Sequence, residues 1–368
     1  MNYIIPFLIL ITVVVFIHEY GHYYFAKKYG VGVTDFSIGF GKEIFGWNDK
    51  SGTRWKVCWI PLGGYVKFFG DRNVFSESEQ REVINKYNDE NRKKLFILKP
   101  LYQRSIIVAA GPLANFVLAI LIFATINMTI GKDMTPAVIN EVQEGSPAFV
   151  AGMKKNDKII SIDNKKVESI LEVSIFINTS TAETIEFLLL RNNQEISMLI
   201  KPNLVEGKDS LGNPVKKRMI GIKLSPLNNE FQKQPLGPSK AIYYSVKEVW
   251  FVTVTSLNYL GKMITGSADS SQLGGPIKIA KITGQVAEHG IVPFISIMAY
   301  ISISLGLINL FPIPMLDGGH LMFYLIEKIL GRPLSQKVQE DFFRIGLFLL
   351  FFLMFFVTFN DLKSLGLF

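Results

Sequence analysis

Four stretches of this chain contain no Asp, Glu, Lys or Arg over lengths close to what a lipid bilayer demands: residues 1–18, 105–131, 293–316 and the aromatic-rich run 345–359. A helix needs ~20 apolar residues to cross the hydrocarbon core. Inside it no water satisfies backbone N–H and C=O groups, so each run has one practical fold, a helix that pairs them internally. Spans are therefore predicted at 1–25, 105–130, 293–316 and 342–360. The first shares only its position with a signal peptide, since it lacks a basic leading segment and a small-residue cleavage site; it is expected to remain as a span.

The charges between the spans predict an orientation. Of the 39 Lys and Arg, fifteen fall in residues 26–104, from Lys27 and Lys28 to Lys99 and Arg104. The positive-inside rule assigns this loop to the cytoplasm. Residues 132–290 are then outside, Lys328, Arg332 and Lys337 mark a second cytoplasmic loop, and both termini are outside. A formal net charge of +8 would suit nucleic acid, but the basic residues form no stripe with interleaved aromatics, so no nucleic-acid partner is expected. The polar run from Ser76 to Lys94 reads as a solvated helix or loop. Cys58 is the single cysteine, which excludes an intramolecular disulfide; a buried inert thiol is the expected state.

The outer segment is composite. Residues 134–226 read as short alternating strands with turn signals: AVINEV, KIISIDNKKV, ETIEFLLLRN, EISMLIKPNL and MIGIKLSP. Within it, Gly145-Ser146-Pro147-Ala148, Ala151-Gly152-Met153 and Asn156-Asp157-Lys158-Ile159 resemble motifs of the PDZ family. The resemblance implies a PDZ-like domain over 131–227, with a groove that binds an extended peptide by edge addition; a domain that only blocks access sterically is the alternative. Residues 228–292 form an amphipathic region. In it, 237–264 combines Lys240, Lys247 and Lys262 with Tyr, Trp, Phe and Leu, as expected of an interfacial helix rather than a fifth span.

The chemistry is concentrated at HEYGH, residues 18–22. His18 and His22 stand one helical turn apart on one face, so both imidazoles can reach one metal ion. Glu19 is placed to take a proton from a metal-activated water, as in the HExxH metallopeptidases. Ionisable groups deep in a span cost ~3 kcal/mol or more and usually line a functional cavity. A divalent cation, zinc above all, is the simplest partner for two imidazoles and a carboxylate.

Catalytic zinc normally has a third protein ligand, and NLFPIPMLDGGH, residues 309–320, is the other ionisable cluster in an apolar setting. By the topology above, Asp317 reaches the cytoplasmic end of its span at the level of His18 and His22. Pro312 and Pro314 break the helix just before it, and Gly318-Gly319 permit close backbone approach. Asp317 is favoured as the third ligand because it completes a His₂-carboxylate set; His320 is its rival. Asn309 is placed to donate a hydrogen bond to a substrate carbonyl or developing oxyanion, or alternatively to a neighbouring helix.

Taken in order, HEYGH, GGYVKF (residues 63–68), AAGPLANF (residues 109–116) and NLFPIPMLDGGH resemble the site-2 protease family of intramembrane zinc metalloproteases. The chain is similar over nearly its full length to the bacterial members that regulate sigma-E. The resemblance implies a multi-pass α-helical membrane protein of about four transmembrane helices, with an inserted β-rich PDZ-like domain and a membrane-associated β-hairpin at about 55–70. It further implies Zn²⁺ on His18, His22 and Asp317, Glu19 as general base, and Asn309, Gly63, Gly64 and Tyr65 in substrate binding. Gly111, Pro112 and Asn115 match the second-span motif, for which helix packing is the expected role. The implied partners are single-pass membrane protein substrates, a peptide on the PDZ-like domain and the lipid bilayer. The implied location is a bacterial inner membrane, with the active site near the cytoplasm. One departure is that there is room for one PDZ-like copy, where well-known members carry two. A catalytically silent zinc scaffold and a metal transporter are the competing classes; an intact Glu19 argues against the first and the scarcity of polar residues along the second span against the other.

Overall fold

The computed structural model describes residues 3–70, 87–180, 182–208, 214–226, 231–265 and 274–364. Most of the polar run from Ser76 lies outside the described residues; its end forms a single helical turn, Asp89–Arg92. The chain divides into two compact units. One is Met1–Ile122 with Val246–Thr253 and Leu273–Phe368; the other is Phe123–Ser245 with Val254–Gln272.

In chain order the long elements are α1 (Ile4–Lys28), β1 (Val33–Asn48), β2 (Arg54–Phe68) and α2 (Leu101–Thr129). The strands β3 (Ile139–Val142), β4 (Lys158–Ile162) and β5 (Lys165–Lys166), helix α3 (Ile170–Thr179), and strands β6 (Ile185–Arg191), β7 (Gln194–Ile200), β8 (Asn203–Lys208), β9 (Pro214–Met219) and β10 (Ile222–Leu224) follow. The chain then continues as α4 (Pro238–Ile264), α5 (Pro276–Glu288), α6 (Ile291–Asn309), α7 (Asp317–Leu330) and α8 (Gln336–Ser364). Among the described residues four helices are long and apolar enough to cross a membrane: α1, α2, α6 and the segment Lys337–Lys363 of α8. Helix α4 carries Lys240, Lys247, Glu248 and Lys262 and is not one of them.

In the first unit, small residues set the helix contacts. A Cβ on Gly21 of α1 would stand 2.4 Å from the Ala110 carbonyl oxygen of α2, and one on Gly306 of α6 would stand 2.9 Å from that of Pro112. Helix α2 is thus packed at backbone distance against both α1 and α6, the close approach that lets dispersion hold helices together where lipid competes for apolar surface. Leu10, Val14 and Met298 are buried where α1 meets α6. Phe348, Phe351, Phe352 and Phe355 of α8 are exposed, an aromatic face suited to acyl chains.

Strands β1 and β2 form an antiparallel pair in which both strands bend. Phe36 pairs with both Val66 and Trp55, and Ser37 with both Tyr65 and Lys56, with register shifts from Val33 to Phe45. Gly39 and Gly41 take φ of +88° and +87° within that bend, a conformation that L residues avoid. The segment predicted as a hairpin, about 55–70, is the second strand only, and its partner precedes it: the glycine-interrupted FSIGFGKEIF lacks the clean alternation that marks a strand. The tip is tied to α1 through Asp49, whose carboxylate accepts from Tyr23 Oη at 2.8 Å, Ser51 N at 2.8 Å, Thr53 N at 2.9 Å and Trp55 Nε1 at 3.1 Å.

The second unit holds the β-rich domain. Strands β5-β4-β6-β7 make an antiparallel sheet, and β10 pairs with β3. Two-residue loops close its hairpins: Asp163-Asn164 between β4 and β5, and Asn192-Asn193 between β6 and β7, all four with positive φ. These are the residues that tolerate the left-handed conformation of a two-residue hairpin loop. Ile139, Ile159, Ile162, Ile185, Phe187 and Leu189 are buried in a common core with Val173 and Ile177 of α3, the inward faces of the alternating segments.

Candidate metal and catalytic centre

Helix α1 places His18 and His22, 7% and 8% exposed, with ring centroids 4.9 Å apart and planes at 83°. Their Nε2 atoms converge to 3.3 Å. The third donor arrives through a tight turn, in which Leu316 N donates to the Ile313 carbonyl. Pro314 stands second in this turn and Met315, at φ +87°, third. A type II turn places proline and glycine in those positions, so Met315 carries strain two residues before Asp317.

Gly318 and Gly319 are required by contact. A Cβ on either would lie 2.2 Å from the Phe311 carbonyl oxygen or 2.4 Å from that of Ile313. The first turn of α7 can therefore rest on the proline loop, and Asp317, in that turn, presents its carboxylate to the histidines. Asp317 Oδ2 stands 3.1 Å from His18 Nε2 and 3.5 Å from His22 Nε2.

The donor set fits zinc. Ligands ~2.0–2.1 Å from a tetrahedral zinc lie ~3.3 Å from one another, and the three pairwise separations here are 3.1, 3.3 and 3.5 Å. Two imidazole nitrogens and a carboxylate oxygen, mostly withdrawn from water, form a site that a divalent cation completes.

Helix α2 backs this cluster. The Ile107 carbonyl stands 2.9 Å from His22 Nδ1 and, as a pure acceptor, it fixes the proton there and leaves Nε2 as the free lone pair. Gly111 supplies the space, since a Cβ there would lie 2.2 Å from His22 Nε2. The amide of Asn115 lies 3.3 Å from His18 Nδ1. Ile107, Gly111 and Asn115 recur every four residues, one stripe of α2 facing the two histidines. The sequence suggested packing alone for this motif; an uncharged amide on the same four-residue spacing as the histidine pair was the available signal.

Glu19 lies within electrostatic reach of His18, His22 and Asp317, and strand β2 runs beside it. Gly64 permits this approach, because a Cβ there would lie 3.1 Å from Glu19 Cγ and 2.7 Å from the Ser37 carbonyl oxygen. At Gly63 a Cβ would meet the Phe40 ring at 2.2 Å. Tyr65 stacks on Phe40 with centroids 6.2 Å apart, and Lys56 Nζ stands 5.1 Å over its ring.

Asn309 ends α6 and is partly exposed. His320 is not in the donor group; its ring lies 5.8 Å from that of Phe343. Cys58 is buried on β2, with Sγ 3.3 Å from Ser37 Oγ, and is not in the donor group either.

Known proteins share this arrangement of sequence. A chain of Agrobacterium fabrum, named as a candidate zinc metalloprotease, is 42% identical over 364 residues, covering 99% of this chain and 96% of its own length. Metalloprotease MmpA of Caulobacter vibrioides is 36% identical over 386 residues, covering 99% and 96%. Among solved structures, the PDZ domain of an SdrC-like protein from Listeria monocytogenes aligns with 25% of this chain and 90% of its own, at 21% identity and a TM-score of 0.20, a likeness too low to carry a statement about fold. The model of peptidase family M50 matches residues 6–353, so a single alignment takes in both halves of the donor set and the strand beside Glu19: the chain belongs to peptidase family M50, the site-2 proteases, and is a zinc-dependent membrane metalloprotease.

Proposed function

We propose that this protease hydrolyses a peptide bond within or next to the transmembrane helix of single-pass membrane protein substrates. The observation that carries the reading is the pairing of two features. Three donors at zinc spacing meet beside the apolar helices, and a further carboxylate, Glu19, lies next to them where strand β2 passes. His18, His22 and Asp317 would hold the zinc. The metal would supply Lewis acidity, polarising the scissile carbonyl and lowering the pKa of water toward neutrality. Glu19 accepts the proton of the attacking water and returns it to the leaving amine.

A substrate helix hides its amides in its own hydrogen bonds and has to unwind before cleavage. Pairing with the strand edge at Gly63, Gly64 and Tyr65 offsets that cost, and Gly64 lets the same strand pass close to the base. Asn309 donates to the substrate carbonyl. On the orientation set by the basic loops, both termini and the β-rich domain face the periplasm of a bacterial inner membrane and the site lies near the cytoplasm. That domain is read as PDZ-like, presenting a groove to an extended peptide. Anti-sigma factor cleavage and clearance of signal-peptide remnants are the processes such an enzyme would serve.

Glu19→Gln in the full-length protein tests the reading against a silent zinc scaffold. Cleavage of a single-pass membrane substrate is expected to fall by ~10²–10⁴-fold with zinc content unchanged, and a variant that still cleaves at the wild-type rate would overturn it.

A further inference from the structure

The two metal-facing histidines are backed unequally. His22 Nδ1 meets a carbonyl oxygen, which can only accept. His18 Nδ1 meets a side-chain amide, whose two ends have opposite hydrogen-bonding character but nearly identical shape. Asn115 Nδ2 faces His18 Nδ1 at 3.3 Å. Its Oδ1 is buried without a partner, on a residue that is 0% exposed. A buried amide oxygen needs a donor, and the Nδ1–H of His18 is one that the opposite amide orientation reaches.

The placed orientation also conflicts with metal binding. An N–H donated into His18 Nδ1 obliges the ring proton to sit on Nε2, aimed at His22 Nε2 and Asp317. Turning the amide by half a revolution gives its oxygen a donor and removes the conflict with the metal. Oδ1 then accepts the Nδ1–H of His18, and Nε2 keeps its lone pair for the metal.

We propose that Asn115 is a positioning residue of the zinc site, whose side-chain carbonyl holds His18 in the tautomer that binds metal. The proposal rests on the zinc reading above. Helix α6 holds Asn115 in place from the other side. Ser302 Oγ donates to its backbone carbonyl at 2.9 Å, and Gly306 is so close that an added Cβ would lie 3.3 Å from Asn115 Cβ. Both outward nitrogens are then served by α2, through the Ile107 backbone and the Asn115 side chain. Orienting partners of this kind set metal affinity through the ligand they hold.

The experiment measures Zn²⁺ affinity by chelator competition, in full-length protein in lipid nanodiscs, for wild type, Asn115→Leu and Asn115→Asp. Leucine keeps the approximate size and removes the acceptor; aspartate keeps an acceptor. Affinity is expected to fall ~10–100-fold for Asn115→Leu and to stay close to wild type for Asn115→Asp. Replacing zinc by Co²⁺ adds a spectroscopic readout, in which the Asn115→Asp absorption bands should shift because a carboxylate makes the His18 ligand more basic. The proposal is overturned if Asn115→Leu binds zinc as tightly as wild type, or if Asn115→Asp loses as much as Asn115→Leu. If the leucine variant does not fold, an unshifted Co²⁺ spectrum for Asn115→Asp overturns it. Wild-type protein without stoichiometric zinc would defeat the zinc reading itself, whereas zinc retained equally by all three proteins defeats only the role of Asn115.

Discussion

Two aspartates, one in each unit, meet nitrogen-rich partners and reach opposite outcomes. In the β-rich domain, Asp157 accepts from Arg191 Nε and Nη2, both at 2.7 Å, and from Lys154 N at 2.8 Å. Every partner is a donor, so the cluster is electrically and sterically complete. Asp317 instead faces two imidazole nitrogens, and His22 has committed its proton to the Ile107 carbonyl on the far side of its ring. On the zinc reading proposed above, a cation would stand beside Asp317 where Arg191 stands beside Asp157. A complete cluster stabilises a fold; an acceptor-only cluster calls for a cation.

The comparison is broken most severely at Asp317. Asp317→Asn is expected to lower zinc affinity by more than the ~100-fold typical of losing an outer partner, with the unfolding of the β-rich domain unchanged; metal analysis and proteolytic mapping of that domain check both halves. Asp157→Asn should do the reverse. Removing one partner of a buried pair costs ~3 kcal/mol or more, so denaturant melting should find the β-rich domain destabilised by about that amount while zinc stays bound.

Acid sharpens the contrast. Burial pushes the Asp157 carboxyl up, but the Arg191 guanidinium and the Lys154 N–H outweigh it and hold the group below the usual carboxylate range. A depressed folded value stabilises the folded state above the unfolded carboxyl's ~3.9. That contribution is lost as the pH falls further, through the folded value. Melting the wild-type domain against pH should show this loss below ~3.9, and Asp157→Asn should remove it.

The smallest effect is expected at Met315. Glycine there relieves a positive φ worth ~1 kcal/mol, partly offset by the greater freedom of the unfolded chain. Met315→Gly should therefore keep zinc affinity and raise the temperature of thermal inactivation slightly.

The legible parts of this protein were those with short-range causes. A run of hydrocarbon side chains has one fold in lipid, a four-residue spacing puts two histidines on one face, and Asp-Asn and Asn-Asn pairs announce tight hairpin loops. Strand β1 was not legible, because its glycines interrupt alternation and its middle pairs with two stretches of β2 at once. Nor was the second duty of α2. The motif AAGPLANF shows small residues and an amide, but whether that amide meets another helix or a histidine depends on how α2 is rotated against α1.

By itself, then, the sequence determined the membrane helices, the HExxH pair with its neighbouring glutamate, and the break that precedes Asp317, since each follows from backbone geometry over a turn or two. Only the tertiary structure decided that Asp317 stands 3.1 Å from His18, that strand β2 passes beside Glu19 at Gly64, and that Asn115 rather than a distant group backs His18. These depend on helices locked at backbone distance by Gly21 and Gly306. The periodicity of each helix permits many rotations about its axis, and packing selects one.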